Sequence, residues 1–304
     1  MSNSDESNLY EELLSTLSFL TDVEAARILK DPREAAKIIA QAISRVINDE
    51  RKRQWAGIHG KWALFKHPSE VWFWIRLGDS MCHSILRKEV DDRATVFLLS
   101  CLKRDGVFFD IGANAGWFTL RAAQKYRQLG GGKVYAFEPQ REFYDHLTMS
   151  VIENDFGEYC TIYNFAVGDR SAQIVMVDAG MNSGGSYIKP SGPGESAKMI
   201  RFDDLALDFD RIDAVKLDIE GAEPLFFEGA TKFFAKHRPI IYSEIHPRKL
   251  QIVSKLTRED YIATVEGMGY ETKLLTSDGK RMIDFDRQLL LDNRRLINVI
   301  FYPK

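Results

Sequence analysis

The stretch from Val107 to Trp117 constrains this chain more than any other. It reads Val-Phe-Phe-Asp-Ile-Gly-Ala-Asn-Ala-Gly-Trp. The apolar run to Ile111 is a buried strand, Gly112 and Gly116 make a tight turn, and a helix opens at Trp117. A strand, a glycine turn and a helix in direct succession belong to sheets of parallel strands covered by helices on both faces. In such sheets the turn after the first strand is where nucleotide-type ligands sit.

The sequence on either side repeats the alternation. A helix is expected over Arg93–Lys103, then the strand Val107–Ile111 and a helix over Trp117–Tyr126. The strand Lys133–Phe137, a helix over Glu142–Asn154 and a strand over Thr161–Val167 follow. Next come the strand Ala214–Ile219, a helix over Pro224–Lys236, the strand Ile240–Ile245 and a helix over Arg258–Met268. Two last strand-like runs, Tyr270–Leu275 and Leu296–Tyr302, are too close for a helical crossover and should pair antiparallel. The fold class is therefore α/β, a doubly wound, mostly parallel sheet with an antiparallel terminal strand pair. The Gly- and Ser-rich stretch Asp178–Ser196 is expected to be a mobile loop near an acceptor pocket.

Ahead of this unit, residues 1–54 read as a helical extension. Leu9, Leu13, Leu17 and Leu20 form one apolar stripe, and Ala36, Ile39, Ile43, Val46 and Ile47 form another. Such stripes fit a core, a cap over the site, or a homodimer. Residues 55–90 form an aromatic-rich connecting segment with strands, and 91–304 the main domain. The clustered Trp55, Trp62, Trp72 and Trp74 could line a groove or supply buried area.

Composition excludes other classes. A net charge of −3 over 304 residues argues against nucleic acid as the main partner. Three cysteines fit neither a disulfide framework nor a zinc site, and no apolar run is long enough to span a membrane. With a polar, acidic start, the expectation is a cytoplasmic protein.

The turn itself selects the ligand. A dinucleotide fingerprint would need glycines at 112, 114 and 117, where this chain has Gly, Asn and Trp. A carboxylate at 110 would repel a pyrophosphate, but attracts the cationic methionyl end of S-adenosylmethionine. Glu138 ends the next strand, where ribose hydroxyls can donate to it. A plain tight turn stays open on these residues alone.

Five segments in unbroken order resemble the FkbM-type methyltransferases. They are Asp110-Ile-Gly-Ala-Asn-Ala-Gly116, Ala136-Phe-Glu-Pro139, Ala166-Val-Gly-Asp169, Lys216-Leu-Asp-Ile-Glu-Gly-Ala-Glu223, and Pro239 with Glu244. The resemblance implies a class I methyltransferase-like fold, S-adenosylmethionine as donor, and O-methylation of a sugar, glycan or polyketide-like hydroxyl. Residues expected at the cofactor are Asp110, Gly112, Ala113, Asn114, Gly116, Glu138, Pro139, Ala166 and Asp218.

Methyl transfer to oxygen needs an aligned hydroxyl and a proton acceptor. At the carboxyl ends of the fourth and fifth strands stand Lys216, Asp218 and Glu220, then Glu244 and His246. His246 is the first candidate base because it titrates near neutrality. It could instead cap the turn at Pro247. Asp218, Glu244 and Lys216 complete the catalytic candidates, and Glu220 could cap the next helix. Asp218, Glu244 and His246 are chemically adequate for a divalent metal, though two strand ends do not guarantee the geometry. N-methylation, or a non-catalytic binding role on the same fold, stays open.

Overall fold

The computed structural model describes residues 62–87, 92–180, 182–207, 209–291 and 296–304. The N-terminal helical extension, and the dimer expected through it, lie outside the described residues.

The centre is an eight-stranded sheet. Its parallel part comprises β3 (Val107–Ile111), β4 (Lys133–Phe137), β5 (Cys160–Tyr163), β10 (Ala214–Leu217) and β11 (Ile240–Ile245). The antiparallel side adds β12 (Tyr270–Leu275), β13 (Met282–Asp284) and β14 (Ile297–Pro303). The order across the sheet is β13-β12-β14-β11-β10-β3-β4-β5. The chain runs outward from β3 to β5, then returns to lay β10 on the other side of β3. That reversal is the switch point at which open α/β sheets bind ligands. All five residues of β3 and all four of β10 are buried, as central parallel strands require. The class I methyltransferase-like reading of the fold stands.

Helices α2 (Asp92–Cys101), α3 (Trp117–Leu129) and α4 (Arg141–Glu153) cover one face. The other face carries α5 (Glu223–Gly229), α6 (Thr231–His237) and α8 (Arg258–Gly267). Gly130 closes α3 in the left-handed region, its N–H and that of Gly131 satisfying the last carbonyls. Thr257 and Asp260 form a capping box at the start of α8.

Three expectations change. The single helix over Pro224–Lys236 is two helices, because Gly229 packs directly on the backbone of Gly168; a Cβ there would lie 1.7 Å from the Gly168 carbonyl oxygen. The new start is capped from a distance, with Asp203 accepting from the N–H groups of Lys232 and Phe233. The strand over Thr161–Val167 divides into β5 and β6 (Ala166–Gly168), which join different sheets. The stretch expected to be a loop is irregular over most of its length but contributes β8 (Tyr187–Lys189) and the start of β9 (Glu195–Arg201) to a second, four-stranded sheet with β6 and β7 (Ala172–Val177).

The aromatic segment is part of the main core. The hairpin of β1 (Trp62–Lys66) and β2 (Trp72–Arg76), with α1 (Ser80–Arg87), packs into the layer beneath α3 and α4. Trp62, Trp72 and Trp74 are buried, so they supply area, not a groove. Asn154 and Ser150 of α4 satisfy the backbone of β2 at Trp72 and Trp74. Phe73 stacks on Trp117, whose indole N–H donates to Thr95. The residue that broke the dinucleotide fingerprint thus joins the hairpin to helices α2 and α3. Among the described residues, no helix is long and apolar enough to cross a membrane.

Candidate active site

The turn after β3 alternates in handedness. Gly112, Asn114 and Gly116 have φ of +85°, +50° and +84°. At Gly112 the constraint is double, since a Cβ would also lie 2.0 Å from the carbonyl oxygen of Asp218. The turn is pressed against the end of β10, and Asn114 tolerates its left-handed position as its side chain allows.

A cleft lies across these strand ends. Of the residues expected at a cofactor, Gly112, Asn114, Glu138, Pro139, Ala166 and Asp218 line it. Asp110, Ala113 and Gly116 do not. The expectation for Asp110 needs correcting: it is 0% exposed and lies behind the turn. Thr119 donates to its Oδ2 at 2.6 Å, and Lys216 Nζ stands 3.5 Å from its Oδ1. Gly116 opens α3 instead.

Lys216 is likewise a tie, not a group facing the cleft. Its Nζ donates to the Gly112 carbonyl at 2.6 Å and lies 3.5 Å from Asp218 Oδ2. Burial alone would depress its pKa, but Asp218, Asp110 and Glu244 around it hold it above the ordinary lysine value. One buried ammonium thus joins β3, the glycine turn and the end of β10.

Glu138 is 3% exposed and has both oxygens engaged. Asn114 N–H donates to one at 2.7 Å and Gln140 N–H to the other at 2.8 Å. Burial pushes its carboxyl up to about 7, with the two amides and Lys216 opposing. Each oxygen retains a second lone pair for a hydroxyl donor.

At the other end, Asp218, Glu220 and Glu244 bring carboxylate oxygens within 4.8 Å of one another. Burial, then Asp218, pushes Glu220 up to about 8. Glu244 is raised well above the usual range, first by burial and then by Asp218 and Glu220. Of the two roles open to Glu220, capping of the next helix is not the one it takes. Glu223, the first residue of that helix, instead closes the preceding loop, accepting from Ile219 and Gly221 N–H groups at 3.0 Å each. Glu220 itself sits at φ +53°, turning the chain into Gly221.

His246 stands apart from this group and from the cleft lining. It caps α7 (Pro247–Val253), its Nδ1 accepting from Lys249 N–H. Burial, then Lys249, lowers its pKa. The metal set Asp218, Glu244 and His246 is therefore not assembled, because the ring is turned to the helix.

The Gly-Ser stretch does border the cleft, through Ser183, Gly184, Ser186, Tyr187 and Ile188. It is tied down by residues that sequence reasoning missed. Buried Asp79 accepts from Ser183 N–H and Oγ, each at 2.9 Å, and from Arg76 at 2.9 Å. Arg76 also donates to the Gly180 carbonyl, and Lys249 Nζ to that of Gly185. The only hint in the sequence was an arginine inside an otherwise apolar strand, followed by Asp79 before a helix.

The comparisons bear on the assignment. The family model described as the methyltransferase FkbM domain matches residues 110–285, more than half of the chain. Among solved structures, an FkbM methyltransferase from Methylobacillus flagellatus is similar at 18% identity and a TM-score of 0.42, over 66% of this chain and 44% of that one. This chain thus spans less than half of that protein. An O-methyltransferase from Bacillus cereus in complex with SAH is similar at 12% identity and a TM-score of 0.40, over 69% of this chain and 78% of that one. A precorrin-6y C5,15-methyltransferase from Geobacter metallireducens shares 13% identity at 0.38, over 69% and 87%. No curated protein sequence matches the chain.

Proposed function

Since the chain belongs to the FkbM methyltransferase family, we propose that it is an S-adenosylmethionine-dependent O-methyltransferase acting on a hydroxyl of a sugar, glycan or polyketide-like molecule. The observation that carries this reading is that Gly112, Glu138 and Asp218, from three strand ends, line one cleft at the switch point.

The cleft suits that donor by its chemistry. Glu138 would hold the ribose hydroxyls, Phe137, Pro139, Ala166 and Val167 offer an apolar wall for the base, and Asp218 offers negative charge to the methionyl end. The glycine turn leaves backbone where a side chain would fill the space. When bound, S-adenosylmethionine supplies a methyl on a sulfonium, whose sulfur leaves with the electron pair as the acceptor oxygen takes the carbon. The protein's share is alignment. Lys216 fixes the turn relative to Asp218, while Asp79 and Arg76 hold the 180–187 strap over the cleft. Asp218, Glu220 and Glu244 stand at the acceptor end to orient the hydroxyl, with Asp218 placed to receive its proton. His246 is given the positioning of α7 in place of the base.

The test is transfer of a radiolabelled methyl from S-adenosylmethionine to a panel of sugars, polyols and matching amines. The reading expects label on an oxygen, stable as an ether. Label on nitrogen would move the assignment to an N-methyltransferase, and no turnover with any acceptor despite donor binding would favour a binding role.

A further inference from the structure

We propose that Asp218, Glu220 and Glu244 form a binding site for a hard divalent cation, calcium or magnesium in class. The site lies at the acceptor end of the cleft, so its use in catalysis rests on the reading above; the binding itself does not.

The first ground is distance. Three carboxylate oxygens, one from each residue, lie within 4.8 Å of one another. Oxygens this close need only small side-chain shifts to reach the roughly 2.3–2.6 Å at which calcium is bound, and an all-carboxylate protein set suits calcium better than magnesium, which demands near-ideal octahedral geometry at about 2.1 Å. The donors are all oxygen, which favours hard cations over zinc or copper.

The second ground is independent of the clustering. Glu220 is only 8% exposed, lines the cleft, and its Oε2 has no hydrogen-bond partner. Its buried neighbours differ: Glu138 accepts two backbone amides, and so does Glu223. A buried carboxylate oxygen without a donor is costly, and a cation is the partner that would remove the cost.

The surroundings do not neutralise the group. Among the described residues the basic groups turned to it are Lys216 and Lys249. Lys216 is shared with Asp110 and the Gly112 carbonyl. Lys249 donates to the Gly185 carbonyl and lies 4.0 Å from the centre of the Tyr187 ring. A cation here would also give adjacent hydroxyl oxygens of a polyol acceptor a ligand-binding partner, where carboxylates alone offer only acceptors.

The test is calorimetry on the full chain, stripped with chelator and titrated separately with calcium and magnesium chloride. Glu220→Gln and Glu244→Gln are run beside it, each checked for folding by S-adenosylhomocysteine binding. The proposal expects one ion per chain, calcium the tighter, and at least a tenfold loss in each variant with S-adenosylhomocysteine affinity retained. No binding of either ion at millimolar concentration would overturn it. So would wild-type ion affinity in both variants, since the ion would then sit elsewhere. Ion binding in a protein that ignores S-adenosylhomocysteine would uphold this site and sink the donor reading.

Discussion

The two ends of the cleft are built on opposite plans. At the Glu138 end the carboxylates have amides or a cation beside them: both Glu138 oxygens accept amides, and Lys216 bonds the Gly112 carbonyl and stands 3.5 Å from both Asp110, whose Oδ1 has this ion pair but no hydrogen bond, and Asp218. At the Glu220 end three carboxylates crowd together, one with an oxygen left unpartnered. The first end is finished before any ligand arrives, as a site for one fixed ligand should be. The second stores unfavourable electrostatics that only a ligand can relieve, and such strain marks sites of function.

Removing Lys216 attacks the finished end hardest. Lys216→Met leaves Asp110 buried without a cation, and breaking such a pair costs about 3–5 kcal/mol. Denaturant unfolding should record a loss of that size. A loss below about 1 kcal/mol would mean that the lysine is not what holds the turn.

The pH dependence separates burial from pairing. Ionising Glu138 is harder in the folded chain, where its carboxyl sits at about 7, than in the unfolded chain near 4.5. Its contribution is therefore fully present below about pH 4.5 and is lost as pH rises towards 7, on the order of 3 kcal/mol. Unfolding free energies between pH 4.5 and 7.5 should fall less steeply for Glu138→Gln than for wild type. Equal slopes would show that the amides, not burial, control the group.

The smallest effect tests the strap. Ser183→Ala removes the hydroxyl that reaches Asp79 and, at 3.2 Å, Asn114, a loss of about 1 kcal/mol, and should raise amide exchange over residues 182–187. Unchanged exchange in the strap would mean that the backbone N–H of residue 183 on Asp79, with Arg76 and Lys249, holds it without the hydroxyl.

The same contrast explains what the sequence could reveal. The parallel strands were legible because burial on both faces leaves mainly apolar runs: Val107–Ile111, buried throughout, and the mostly buried Lys133–Phe137 and Ile240–Ile245 fall where the pattern put them. The glycine turn was legible because alternate left-handed positions restrict residue type. What failed depends on contacts distant in sequence. Asp79 reaches Ser183, Asp203 caps a helix near residue 232, and Gly229 meets Gly168. No local pattern encodes such pairs. Asp110 was misread for a related reason: spacing puts it at the strand end, but only packing shows that Thr119 and Lys216 enclose it.

The central claim is that the finished end of the cleft holds the donor through Glu138. Titration calorimetry with S-adenosylhomocysteine on wild type and Glu138→Ala tests it most directly. The account predicts binding to wild type and a roughly 10- to 100-fold loss in the variant, as removing charged hydrogen bonds worth about 1.5–3 kcal/mol requires. Equal affinity in the two proteins, or no binding by the wild type, would contradict it.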